Sequence, residues 1–136
     1  MKTILEMFEK YPSKNKWLIL GDMIELGLNE KDAHENLAIT LNSMLLSKII
    51  LIGTRVSKYT YPKLNLDVMK KSEKFTMPRD GLDYILKNVT GGETILFKGA
   101  RFLEGIIEHL LKNTKDIEKL VRRETVWQNR RKAWGL

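Results

Sequence analysis

The sequence predicts an α/β protein, a mostly parallel sheet with helices on both faces and a helical extension at its C-terminus. Three observations predict it. Apolar runs stop at a glycine three times: WLIL at Gly21, IILI at Gly53 and ILFK at Gly99. Each is followed by polar residues and a stretch able to form a helix, giving the β-α-β-α-β-α order that parallel strands need for their long crossovers. The 136 residues are 43% hydrophobic and 30% charged, ordinary values for one globular core.

Residues 1–10 place Ile4, Leu5 and Phe8 on one side of a short amphipathic helix, which Tyr11, Pro12 and Ser13 break. Residues 16–20 are the first strand, too apolar for an exposed edge. GDMIELG, residues 21–27, leads into a helix with the stripe Ala33, Leu37, Ala38, Leu41 and Leu45, extending to about residue 46. Residues 49–52 are the second strand, with β-branched Ile at three positions. Residues 54–92 are less regular. They hold Tyr59, Tyr61 and Pro62, a short strand near 74–76, a helix over about 79–88 and a Gly91-Gly92 turn. Residues 94–97 form the next clear strand. Beyond KGAR the pairs Phe102/Leu103, Ile106/Ile107 and Leu110/Leu111 recur every four residues, a strongly amphipathic helix.

The chain has no cysteine, which excludes a disulfide framework and a thiolate metal site. No apolar run approaches the roughly 20 residues of a membrane span. The first residues include Glu6 and Glu9 and lack the apolar core of a signal peptide, so a cytoplasmic protein is expected. The net charge of +7 is uneven: residues 112–136 hold eight basic side chains against three acidic ones, which is +5 of the total. The basic balance therefore describes a tail more than a domain, and alone does not indicate a nucleic-acid binder.

In open α/β sheets ligands bind outside the carboxyl ends of the strands, so the loops after the glycines are where chemistry is sought. Gly21 permits a sharp turn, while Asp22 and Glu25 set two carboxylates at the rim, able to orient an amine, a ribose hydroxyl or a hydrated Mg²⁺. A helix-capping Asp is the plain alternative. KGAR, residues 98–101, joins the cations Lys98 and Arg101 through Gly99 and Ala100 ahead of a helix start, a suitable place for a carboxylate or phosphate. A solvated basic loop is the alternative there. His34 with Asp22 and Glu25 matches no metal-ligand spacing; a hydrogen-bonding histidine that stiffens the loop is expected, and no metal site. His109 falls on a polar helix side. No P-loop motif, Ser/His/Asp set or cysteine nucleophile is present, so no complete catalytic set is expected in this chain.

LILGDMIELG, His34 on the next helix and ILFKGAR before an amphipathic helix together resemble the C-terminal domain of the Mur ligases, nearest to the branch that adds D-alanyl-D-alanine. The resemblance covers about residues 1–112, is specific in GDMIELG and KGAR, and leaves 113–136 as a basic amphipathic helical tail. It implies a Rossmann-like domain that binds an incoming amino acid or dipeptide and closes over a separate ATPase domain, inactive alone. ATP and Mg²⁺ would be bound mainly by domains outside these residues. The other implied partners are the N-terminal domain and a UDP-muramoyl peptide; neither a membrane nor nucleic acid is implied. In that family ATP phosphorylates a carboxylate, and the amine then displaces phosphate to form the amide. The resemblance gives substrate binding to Lys98, Gly99, Ala100 and Arg101, a nucleotide- or amine-facing loop to Gly21, Asp22 and Glu25, and loop support to His34. Ala100 departs from the family's more usual Ser.

A rival reading is a non-catalytic α/β module whose tail, with Trp127 and Trp134 among its basic residues, holds an acidic partner or RNA. Ile117, Leu120 and Val121 favour instead a tail packed on its own protein.

Overall fold

The computed structural model describes residues 1–24 and 26–136. Four parallel strands form one sheet in the order β3-β2-β1-β4. β1 (Lys16–Gly21) and β2 (Lys48–Ile52) are central, flanked by β3 (Ser72–Phe75) and β4 (Thr94–Lys98). All of β1 is buried, as a parallel strand covered on both faces must be. Its Leu18 lies opposite Ile49 of β2 and Leu96 of β4, and Gly21 is level with Ile52. The chain builds outward from β1 to β2 and β3, then returns to place β4 on the other side of β1. The order of strands therefore reverses between β1 and β4, the topological switch point where such sheets open a crevice.

Alternation along the strands divides the core. Leu18, Leu20, Ile49 and Leu51 meet α1 (Lys2–Glu9) through Leu5, and α2 (Glu30–Ser43) through Leu37, Ala38 and Leu41. Trp17, Ile19, Ile50 and Ile52 meet α4 (Pro78–Asn88) through Leu82 and Ile85, and α5 (Leu103–Glu108) through Leu103 and Ile106. Helices thus cover both faces.

Three details differ from the sequence expectation. α2 ends at Ser43, so Leu45 is exposed while Met44 and Leu46 turn into the core. The irregular stretch after β2 is a π-helical turn (Val56–Thr60), a 3₁₀ turn (Tyr61–Lys63) and the single turn α3 (Leu66–Met69). The amphipathic segment after KGAR is helical for only six residues.

The tail folds back. After a 3₁₀ turn (Thr114–Lys119), α6 (Thr125–Ala133) packs on α5. Trp134 stands edge-on to Phe102 at 5.9 Å between centroids, and Leu136 joins the same apolar cluster. Arg131, only 7% exposed, sets Nε 3.3 Å from Glu108 Oε1 and donates from NH1 to the Arg122 carbonyl. Arg122 pairs with Glu104, and Arg123 with Glu108. Glu104 and Glu108, one turn apart on α5, thus hold three arginines of the tail.

Candidate functional site

β1 and β4 end side by side, and their loops touch. A Cβ on Gly99 would lie 2.5 Å from the Gly21 carbonyl oxygen, and Gly99 has φ +114°. Only glycine lets the backbone after β4 approach the end of β1 in that conformation.

The loop after β1 is fixed from within. The Asp22 carboxylate is buried, and its Oδ1 accepts from the backbone N–H groups of Arg55 and Val56 at 3.0 and 2.9 Å. It therefore caps the turn that follows β2 rather than a helix of its own loop. Gly53 makes room: a Cβ there would lie 2.3 Å from that oxygen, and the residue has φ +137°. Arg55 extends the clamp, with NH1 3.6 Å from Asp22 Oδ2 and Nε donating to Glu30. The bond to Glu30, foremost, raises the Arg55 pKa above its ordinary value, with Asp22 adding to it. His34, fully buried on α2, accepts the Met23 N–H at Nε2 (3.2 Å), which leaves the ring hydrogen on Nδ1 for the Glu30 carbonyl at 2.7 Å.

The loop after β4 is built differently. Lys98 is half-buried at the strand end, Ala100 is half-buried beside Gly21, and Gly99 and Arg101 are exposed. At the start of α5 the Leu103 N–H points to the Ala100 carbonyl at 3.3 Å, and the Gly105 N–H to the Phe102 carbonyl at 2.9 Å. Lys98 and Arg101 are the cationic side chains of this loop. The Arg101 guanidinium lies 5.6 Å from the Trp127 ring, which also carries Arg122 at 5.6 Å and Arg130 at 4.7 Å. Between the loops and α6 lies a pocket of about 220 Å³ bordered by Asp22, Ala100, Arg101, Phe102, Arg130 and Trp134.

Among known proteins, the UDP-N-acetylmuramoyl-tripeptide--D-alanyl-D-alanine ligase of Rickettsia prowazekii (strain Madrid E) is 34% identical over 101 residues, 74% of this chain and 22% of that protein. The enzyme of the same name from Buchnera aphidicola subsp. Acyrthosiphon pisum (strain APS) is 32% identical over 120 residues, covering 85% of this chain and 25% of that protein. The chain belongs to the Mur ligase family. Its fold is likewise that of a Mur ligase. MurF from Acinetobacter baumannii superposes with a TM-score of 0.68 at 21% identity, over 83% of this chain and 25% of the other. The MurF ligase from Thermotoga maritima in complex with ADP gives 0.57 at 24% identity, over 87% of this chain and 26% of the other. No protein-family model matches the chain. The chain spans 22–25% of the length of these curated ligases.

In this Mur ligase domain the structure brings Gly21 and Asp22 together with Gly99, Ala100 and Arg101 at the switch point, and sets His34 behind the first loop. Glu25 lies outside the described residues. His109 is exposed at the end of α5. Among the described residues no group of three or more His, Asp or Glu converges to hold a metal ion, and no helix is long and apolar enough to cross a membrane. Sequence reasoning missed Gly53 and Arg55 as partners of Asp22, and Trp127, Arg130 and Trp134 as neighbours of Arg101. Gly53 had the glycine-after-strand signal. For the tail, the tryptophans among basic residues were a signal without an address.

Proposed function

We propose that this chain is the C-terminal domain of a cytoplasmic ATP-dependent ligase of peptidoglycan precursors, binding the incoming amine substrate, D-alanyl-D-alanine, and closing over a separate ATPase domain. The observation that carries this reading is the cationic loop of Lys98 and Arg101 set beside a small pocket at the β1/β4 switch point. A guanidinium suits a carboxylate in a bidentate fork, and the substrate's C-terminal carboxylate is the anion that the names of the relatives supply. Its free amine would then project toward the partner domain. There an acyl phosphate, formed by transfer of the γ-phosphoryl group of ATP to the UDP-muramoyl peptide, would be attacked. The nitrogen bonds to the acyl carbon, phosphate leaves, and the amine gives up a proton.

The chain carries no P-loop, so on this reading the nucleotide and Mg²⁺ belong chiefly to the ATPase domain, and no step is assigned to a metal here. Gly21 and Asp22 form the opposite wall, with His34 and Arg55 holding it rigid. The inward use of Arg122, Arg123 and Arg131 on Glu104 and Glu108 weakens the rival reading of a tail that grips RNA.

The test is reconstitution. The chain alone should hydrolyse no ATP. Supplied with the N-terminal and ATPase domains of a MurF enzyme, it should restore phosphate release that depends on D-alanyl-D-alanine, and Arg101→Ala should reduce that release. An assembly that stays silent, or is indifferent to Arg101→Ala, would count against the assignment.

A further inference from the structure

We propose that the tail is part of the substrate pocket: Arg130 supplies a second guanidinium for the ligand's carboxylate, and Trp134 supplies an apolar wall. The ligand's identity rests on the function proposed above; the geometry does not.

The tail has four arginines, and three of them dock it. Arg122, Arg123 and Arg131 are ion-paired with Glu104 or Glu108. Arg130 differs. Among the described residues it has no acidic partner, it is exposed, and it borders the pocket beside Arg101. Its guanidinium rests 4.7 Å from the centre of the Trp127 ring, the same indole that Arg101 approaches at 5.6 Å. That indole, which Arg122 also approaches at 5.6 Å, therefore restrains guanidiniums of both the loop and the tail, which lowers the ordering cost of binding an anion at Arg101 and Arg130.

The pocket is small: at about 220 Å³ it falls below the roughly 300–1,000 Å³ of sites for drug-sized ligands, a volume that suits an amino acid or dipeptide. Ile24, Ala100 and the edge-to-face pair Phe102 and Trp134 provide apolar walls. The bordering Asp22 has Oδ1 committed to two backbone N–H groups and Oδ2 beside Arg55. The chemistry that fits is a carboxylate on a short aliphatic body.

The experiment titrates the full chain with D-alanyl-D-alanine and with its C-terminal amide, followed by NMR shifts of the Ala100 and Phe102 amides and the Trp134 indole N–H. The acid should shift all three saturably. Arg130→Gln should weaken it about tenfold, the scale of one charge-assisted hydrogen bond, and should erase the preference for acid over amide. Arg130→Lys should restore most of both, and Trp134→Phe should weaken acid and amide alike. If Arg130→Gln binds like wild type while Arg101→Gln does not, the tail is excluded and the loop reading survives. Equal weakening of acid and amide by Arg130→Gln would also overturn the proposal, since that is a structural effect. If L-alanyl-L-alanine binds with the same Arg130 dependence and D-alanyl-D-alanine does not, the pocket stands and the dipeptide assignment falls. No shift at the three reporters with either dipeptide overturns the pocket, even if the reconstituted ligase is active.

Discussion

The two loops at the switch point use charge in opposite directions. After β1, polar groups turn inward: Asp22 accepts N–H groups of the turn after β2, His34 accepts the Met23 N–H, and Arg55 ties Asp22 to Glu30. After β4, Arg101 is exposed and Lys98 half-buried, with a tail indole behind Arg101. A buried carboxylate with two backbone donors is a structural device, because uncapping it strands those donors. An exposed guanidinium against an aromatic face contributes little to folding. One loop is scaffold, and the other is reach.

The largest effect expected of that contrast is on stability. Gly53→Ala places a methyl 2.3 Å from Asp22 Oδ1 at φ +137°, combining backbone strain of about 1–3 kcal/mol with displacement of a buried acceptor worth about 1–3 kcal/mol. A loss of about 3–5 kcal/mol in urea unfolding is expected. Gly91→Ala is the control: its φ of +98° is also positive, but nothing lies within 4 Å of the added Cβ, so only about 1 kcal/mol should be lost. Equal losses would show that Asp22 does not depend on Gly53.

Next comes Asp22 itself. Asp22→Ala leaves the Arg55 and Val56 N–H groups without their acceptor, and about 2–3 kcal/mol should be lost. Asp22→Asn keeps an acceptor at the same place and should lose about half as much. Arg101→Ala should do the reverse of Asp22→Ala. It should change stability by no more than about 0.5 kcal/mol, as exposed positions do, yet lower the phosphate release of the reconstituted ligase about 10–100-fold, the value of a charged hydrogen bond of about 1.5–3 kcal/mol. Thermal unfolding and a phosphate assay on the same preparations separate the two. If Arg101→Ala destabilises as much as Asp22→Ala, the loops are not different in kind.

What was legible in the sequence follows the same division. β1 and β2 stood out because a strand buried on both faces must be apolar at every position, and α2 showed its 3.6-residue stripe. β3 was nearly hidden: an edge strand with exposed Glu73 and Lys74 has little need of apolar residues. The turns from Val56 to Lys63 were not predicted, because π and 3₁₀ hydrogen bonding does not repeat at the α-helical period. In the site, KGAR announced its charge, but the inward role of Asp22 depends on Gly53, 31 residues away, and no local pattern records such a contact. A tail packed on its own protein was expected from its apolar residues, but the pairing of its arginines with Glu104 and Glu108 of α5 was not. Which arginine would be left at the pocket was set by packing alone.

The smallest expected effect bears on the other end of β4, and asks whether the reaching loop stands on a strand anchored independently of β1. Every residue of β4 is only half-buried, and the turn before it is held by Glu93, which accepts from the Thr90 and Gly91 N–H groups and the Thr90 hydroxyl. Those bonds, led by the Thr90 N–H, favour the ionised form and lower the Glu93 pKa from 4.5 to about 2. A carboxylate with a depressed folded-state pKa stabilises above its unfolded pKa, and that contribution is lost as pH falls through the folded value. It should be fully present above pH 4.5 and disappear toward pH 2. Glu93→Gln, which cannot ionise, should melt slightly below wild type at pH 6, and the two melting curves should converge near pH 2. The loss should fall on β4: at pH 6, amide exchange at Ile95 and Phe97 should quicken in Glu93→Gln while Leu18 and Ile19 of β1 remain protected. Exchange that quickens in both strands together would mean that β4 opens only with the sheet, and that the reaching loop shares the stability of the scaffold loop beside it.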